Sequence, residues 1–179
     1  MLYKDQIKKA ELKDAHELSI LINSAYRGES SKKGWTTEAD LLGGVRTDVE
    51  DITALITKPL CTLLKYVNDA GKITGCVRLE KHSNKFYLGM LTVDPLLQGA
   101  GIGKDLMKAA EAEAKKQNCD RIYMTVISDR VELIAWYERH GYKNTGEKKP
   151  FPAGDPRFGL PKKHLEFVVL EKMILSNYE

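Results

Sequence analysis

No run in this chain approaches the roughly 20 apolar residues that a membrane span requires. The opening stretch, MLYKDQIKKAELKDA, also lacks the apolar core of a signal peptide. Together these absences predict no membrane partner and a cytoplasmic location. Cysteine is scarce: Cys61, Cys76 and Cys119 are odd in number and far apart. That argues against a disulfide framework and reads as free thiols in a reducing compartment. Blocks of basic charge are missing too. The net charge is only +3 and is dispersed, so no nucleic-acid partner is expected. The four histidines, His16, His82, His140 and His164, form no i,i+4 pair and have no cysteine at ligand spacing. No metal site is expected from them. There is no G-x-S-x-G elbow, no internal repeat and no low-complexity segment.

What is present is ordinary for a globular protein: 42% hydrophobic and 30% charged residues in 179. That length suits one well-cored domain, residues 1–179. Ile7 to Ala10 reads as a short strand. Asp14 is placed to cap a helix through Ala25, with Ala15, Leu18, Leu21, Ile22 and Ala25 on its inner side. Arg27 to Trp35 is polar and reads as a loop. Thr36 to Asp40 reads as a capped helix start ended by Gly43-Gly44, and Val49 to Thr57 as another short helix.

Cys61 to Val67 and Lys72 to Glu80 form a hairpin around Asn68-Asp69-Ala70-Gly71. A polar turn, Lys81 to Lys85, leads into an apolar strand, Phe86 to Val93, so three strands make an antiparallel meander. Asp94-Pro95 stops the third strand. After a helix comes a strand, Arg121 to Ile127, which should run parallel to Phe86–Val93 because a crossover helix joins them. Val131 to His140 is helical, Tyr142 to Lys148 a strand, and Lys149 to Lys163, with four prolines, a long loop. His164 to Lys172 closes as a strand. The order is mixed α/β.

The informative stretch is Gln98-Gly99-Ala100-Gly101-Ile102-Gly103-Lys104 at the start of the helix after Pro95. Ile102, Leu106, Ala110 and Ala114 give that helix one apolar face. Bare N–H groups and the helix dipole make its start an anion site. A dinucleotide fingerprint fails because Lys104 stands where its third glycine belongs. A P-loop fails because Gln98 and Asp105 occupy its outer positions. The pattern Gln/Arg-x-x-Gly-x-Gly/Ala is met by Gln98, Gly101 and Gly103.

With LTVDPLLQGAGIGKDLM and, downstream, WYERHGY (Trp136 to Tyr142), the chain resembles the GNAT superfamily of acetyl-CoA-dependent N-acyltransferases. The resemblance follows residues 5 to 173 in element order. It departs at Arg130, where the family often has asparagine. It implies a mixed, mainly antiparallel sheet of about seven strands flanked by helices, with a splayed parallel strand pair holding the cofactor. It also implies acetyl transfer from acetyl-CoA to a primary amine by direct attack in a ternary complex. On this pattern the backbone from Gln98 through Gly99, Ala100, Gly101, Ile102 and Gly103 to Lys104 would hold the pyrophosphate. Leu91 and Val93, flanking Thr92, would bond the pantetheine arm, and the Val93 N–H would polarise the thioester. Tyr137 would be the acid at the departing sulfur.

Glu80, at the end of the second meander strand, is a candidate base; Tyr26, Tyr87 or ordered water are alternatives. The amine would enter opposite the cofactor, with Tyr26, Arg27, Trp35 and Phe158 as candidate binding residues. Arg46 and Arg157 could join them, since arginine can grip a carboxylate. Metabolite, antibiotic, amino acid and protein amine all stay open as acceptors, as do monomer and homodimer. The rival reading is a non-catalytic acyl-CoA-binding sensor or interaction module with the same fold.

Overall fold

The computed structural model describes residues 4–152 and 159–174. The chain runs β1 (Ile7–Lys9), α1 (Ala15–Tyr26), α2 (Gly28–Ser31), β2 (Leu42–Gly43), α3 (Val49–Thr57), β3 (Cys61–Val67), β4 (Ile73–His82) and β5 (Lys85–Val93). It continues α4 (Ile102–Lys116), β6 (Arg121–Ile127), α5 (Val131–Arg139), β7 (Lys143–Pro150), β8 (Leu160–Pro161) and β9 (Glu166–Met173). Seven strands form one sheet in the order β1-β3-β4-β5-β6-β9-β7. Every neighbouring pair is antiparallel except β5 and β6.

Successive strand residues point to opposite faces, and the two faces serve different cores. Leu63 and Cys76 join Leu18, Ile22 and Ile52 under α1 and α3. Their chain neighbours Leu64 and Val77 join Leu106 and Ala110 of α4 and Tyr137 of α5 on the other face. All five inward residues expected on α1 are buried. The periodicity survives because both helices lie flat on a sheet and need one apolar stripe each.

β5 is the exception to simple alternation. Phe86 and Leu88 lie in the α4 core, but Met90 lies in the α1 core. Met90 has φ +53°, and the β4–β5 register shifts between Cys76 and Arg78. This is a β-bulge, which inverts the faces of the residues after it. A left-handed non-glycine residue costs roughly 1–3 kcal/mol and persists where its surroundings impose it. The Thr92 hydroxyl donates to the Met90 carbonyl at 2.9 Å and braces the bend. Pairing with β6 covers Lys85, Phe86 and Tyr87 alone. From Leu88 onward the two parallel strands diverge and leave an opening.

Three local expectations need correction. Thr36 to Asp40 is not helical. Thr37 spends its hydroxyl on Ser31 (2.6 Å) and on the Ala39 N–H (3.1 Å), while the Glu38 N–H donates to the Tyr26 carbonyl (2.8 Å). Side-chain bonds of this kind compete with the helical ladder. A short helix, α2, forms instead within Arg27–Trp35. Asp14 precedes α1 as expected, but its carboxylate accepts from the Glu11 N–H at 2.8 Å and from Lys65 at 2.7 Å instead of capping the helix. The late loop is also shorter than expected. β7 reaches Pro150, and β8 pairs with β2, Gly43 facing Leu160. No helix among the described residues is long and apolar enough to cross a membrane.

Candidate active site

Two cavities open where β5 and β6 part. The larger, about 590 Å³, runs from Leu91 and Val93 over the start of α4 to the exposed side of α5. Gln98, Gly99, Gly101, Ile102, Gly103 and Lys104 form one wall; Trp136, Tyr137, Arg139 and His140 form the other. Gly101 stands at the helix start with φ +85° and no side-chain cap. The first bond into the helix is from the Asp105 N–H to the Gly101 carbonyl, at 3.0 Å. The amides of Ile102, Gly103 and Lys104 precede it and lie at the cavity wall. Lys104 and Arg139 add positive charge there. The size and charge suit an elongated polyanion with a diphosphate, as coenzyme A has.

Two of the expected cofactor residues lie elsewhere. Ala100 lines neither cavity, and its N–H donates to the Leu97 carbonyl. Thr92 is buried and bonded to Met90. Leu91 lines both cavities, but its carbonyl already accepts the Tyr26 hydroxyl. Gln98 does not turn its side chain to the helix start. Its Oε1 accepts the Trp35 N–H at 2.8 Å and its Nε2 donates to the Thr36 hydroxyl at 2.7 Å. The glutamine thereby ties the Trp35–Thr36 segment across the cleft.

The smaller cavity, about 250 Å³, lies on the other side of β5. Tyr26, Leu91, Leu133 and Tyr137 line both cavities and form the boundary between them. Tyr137 is buried, and burial pushes its phenol well above the ordinary value, with the nearby Tyr26 acting in the same direction. Burial likewise raises the Tyr26 phenol to about 12, against a smaller opposing pull from Arg130. Arg27 lines the smaller cavity. It donates to the Gly43 and Val45 carbonyls at 3.2 Å each and faces Glu38 at 3.9 Å, so it braces the wall.

Trp35, expected on the amine side, instead lines the larger cavity, with its ring 6.2 Å from that of Trp136. Phe158 and Arg157 lie outside the described residues. Glu80 is not brought to either cavity. It is buried between Lys58 Nζ (2.6 Å) and Arg78 Nη2 (2.5 Å). Burial alone would raise its carboxyl, but the bonds from Lys58 and Arg78 outweigh that and hold it below the usual range. A carboxylate so held is a poor base.

Sequence reading missed Glu38 and Arg139, and saw Arg130 only as a departure. Arg130, just before α5, donates to the Thr36 carbonyl and faces Glu38 at 3.9 Å. A buried acid whose partners are 11 and 92 residues away carries no local signature.

A family model described as the acetyltransferase (GNAT) family matches residues 29–142, more than half of the chain. The chain belongs to the GNAT acetyltransferase family. Among its relatives, the Bacillus subtilis protein YdhI is 31% identical over 77 residues, 43% of this chain and 47% of that one. Spermine/spermidine N(1)-acetyltransferase of Bacillus subtilis is 29% identical over 69 residues, 38% of this chain and 45% of that one. The chain thus spans about half the length of these curated relatives. The GNAT fold recurs in the PaiA N-acetyltransferase of Thermoplasma acidophilum, solved in complex with coenzyme A. Its TM-score is 0.67 at 18% identity, covering 93% of this chain and 97% of that one.

Proposed function

We propose that this GNAT chain transfers an acetyl group from acetyl-CoA to a small amine by direct attack in a ternary complex. The observation that carries the reading is the pair of cavities that share Tyr26, Leu91, Leu133 and Tyr137 as a boundary. The larger would hold the thioester, its diphosphate at Ile102–Lys104 and its pantetheine arm along Leu91 and Val93. The smaller would hold the amine. In the reaction the amine nitrogen bonds to the acetyl carbon, the carbon–sulfur bond breaks, the nitrogen loses a proton and the sulfur gains one.

Tyr137 borders both cavities, which supports a place for it beside the departing sulfur. Its raised pKa keeps the phenol protonated at working pH. A thiol titrates near 8.5, so complete proton transfer from this phenol would be uphill. Its role is hydrogen-bond donation to the sulfur as negative charge develops there. No histidine lines the amine cavity among the described residues, and its one carboxylate, Glu38, faces two arginines. The amine therefore enters in its neutral form.

Two measurements test the reading. Acetyl-CoA should raise the melting temperature while ATP and NAD do not, because a ligand that binds only the folded state stabilises it. An amine panel should then accelerate thiol release from acetyl-CoA. Stabilisation by ATP or NAD but not by acetyl-CoA would remove the cofactor assignment. Binding of acetyl-CoA with no amine turned over would favour the sensor.

A further inference from the structure

Charge in the amine cavity is unevenly spent. Arg27, Arg46 and Arg130 all line it, against Glu38 as the single acid among the described residues. Arg27 and Arg130 both face Glu38 and both donate to backbone carbonyls of the surrounding loops. Arg46 is different. Its guanidinium makes no hydrogen bond or ion pair with any described residue. It lies 5.9 Å from the centroid of the Tyr26 ring, the residue that also borders the thioester cavity.

The position of Arg46 is nevertheless set by its backbone. Asn23, on α1, accepts the Arg46 N–H at 2.7 Å and the Thr47 N–H at 3.1 Å, and donates to the Thr47 carbonyl at 3.0 Å. A half-buried cation on an anchored backbone, with no anion among the described residues and with two further arginines in its cavity, suits an anionic group. The cavity also has apolar lining: Leu42 with Phe151 and Phe167, whose ring centroids are 5.2 Å apart. At about 250 Å³ the space is below the roughly 300–1,000 Å³ of ordinary ligand sites, so the occupant is small.

We infer that the acceptor is a small amine bearing a carboxylate and an apolar side chain, of the α-amino-acid type, with Arg46 holding the carboxylate. This rests on the acetyl-transfer reading. It places the amino group toward Tyr137, the carboxylate on Arg46 and the side chain against Phe151 and Phe167. The same surplus of arginine repels a polycation, so polyamines should be poor acceptors.

Matched pairs test it at saturating acetyl-CoA, with thiol release as the readout. The pairs are L-phenylalanine with 2-phenylethylamine, and L-methionine with 3-(methylthio)propylamine; spermidine is the polycation. The carboxylate-bearing member should show a kcat/KM at least about tenfold above its twin, since a polar site rejects an analogue that leaves it unpaired. Arg46→Gln should collapse that ratio through KM. Arg46→Lys should leave an intermediate ratio, keeping the charge but losing the planar fork. The wild-type pairs decide the question even if a variant folds poorly.

Equal or better turnover of the twins or of spermidine overturns the inference and leaves acetyl transfer standing. So does a ratio that Arg46→Gln leaves intact while calorimetry shows acetyl-CoA bound as in wild type. Bound acetyl-CoA with none of these amines acetylated overturns this inference, and the acetyl-transfer reading falls with it only when the wider amine panel is inert as well.

Discussion

Tyr137 shows how far one residue could be read before its surroundings were known. Val131, Ile134 and Tyr137 are spaced three apart, which by itself suits a packed tyrosine on an apolar helix face, and only the family pattern marks it as chemical. Both readings hold in part: the residue is buried in the α4 core and it borders both cavities. Burial also fixes what it can do, because a phenol with a raised pKa does not ionise at working pH. Tyr137→Phe should lower kcat about a hundredfold, the lower end for losing one positioned hydrogen-bond donor at developing charge. The affinity for acetyl-CoA measured by calorimetry should stay within about threefold. An unchanged kcat would remove Tyr137 from the chemistry. The pH profile offers a second check. With Tyr26 and Tyr137 both shifted upward, and no histidine lining the amine cavity among the described residues, no titration of a base near neutrality is expected. The rate constant kcat/KM should climb with pH toward the pKa of the amine itself, and a plateau reached near pH 7 would reveal a base not identified among these side chains.

At the scale of elements, the long strands and helices were legible and the segment between Arg27 and Gly44 was not. Cys61–Val67, Arg121–Ile127 and Val49–Thr57 fall where their apolar patterns put them. Their structure follows from burial of one face or stripe, which a local pattern records. Residues 34–38 instead follow distant partners: Gln98 from the glycine turn, Arg130 from before α5 and the Tyr26 carbonyl. No periodicity reports such bonds. The β5 bulge at Met90 escaped the sequence for a related reason, since methionine carries no turn signal.

The bonds around residues 34–38 have a functional consequence, because the segment carries Trp35 onto the wall of the thioester cavity. Gln98→Ala removes both of its ties from the glycine turn, at about 1 kcal/mol each. The expected result is about a tenfold weaker affinity for acetyl-CoA, with kcat at saturation largely kept. Calorimetry on the variant checks this, and an unchanged affinity would show that Trp35 holds its place without Gln98.

Across the whole molecule, α1 is joined to the sheet by more than apolar packing. Asp14 before α1 and Lys65 on β3 pair at 2.7 Å, with side chains only 9% and 10% exposed. Burial alone would raise the Asp14 carboxyl, but the bonds from Lys65 and the Glu11 N–H outweigh it and hold its pKa below the ordinary 3.8. Glu80, between Lys58 and Arg78, is likewise held below its ordinary 4.5. Both carboxyls therefore bind a proton more readily in the unfolded chain than in the folded one. The stability they contribute is complete above those ordinary values and is lost as pH falls below about 4. The melting temperature should accordingly lose both contributions over that acid range, and keep them from pH 5 upward. Asp14→Asn should cost about 3 kcal/mol at pH 7, because it leaves the Lys65 ammonium buried without an anion. It should also flatten the acid slope, since one of the depressed carboxyls is gone. The double change Asp14→Leu with Lys65→Met should recover most of the loss, as an apolar pair of similar volume often replaces a buried ion pair at little cost. Denaturant unfolding of the three proteins at pH 7 and pH 3.5 measures all of this. An acid slope in Asp14→Asn as steep as in wild type would show that the pair is not what ties α1 to β3 against acid.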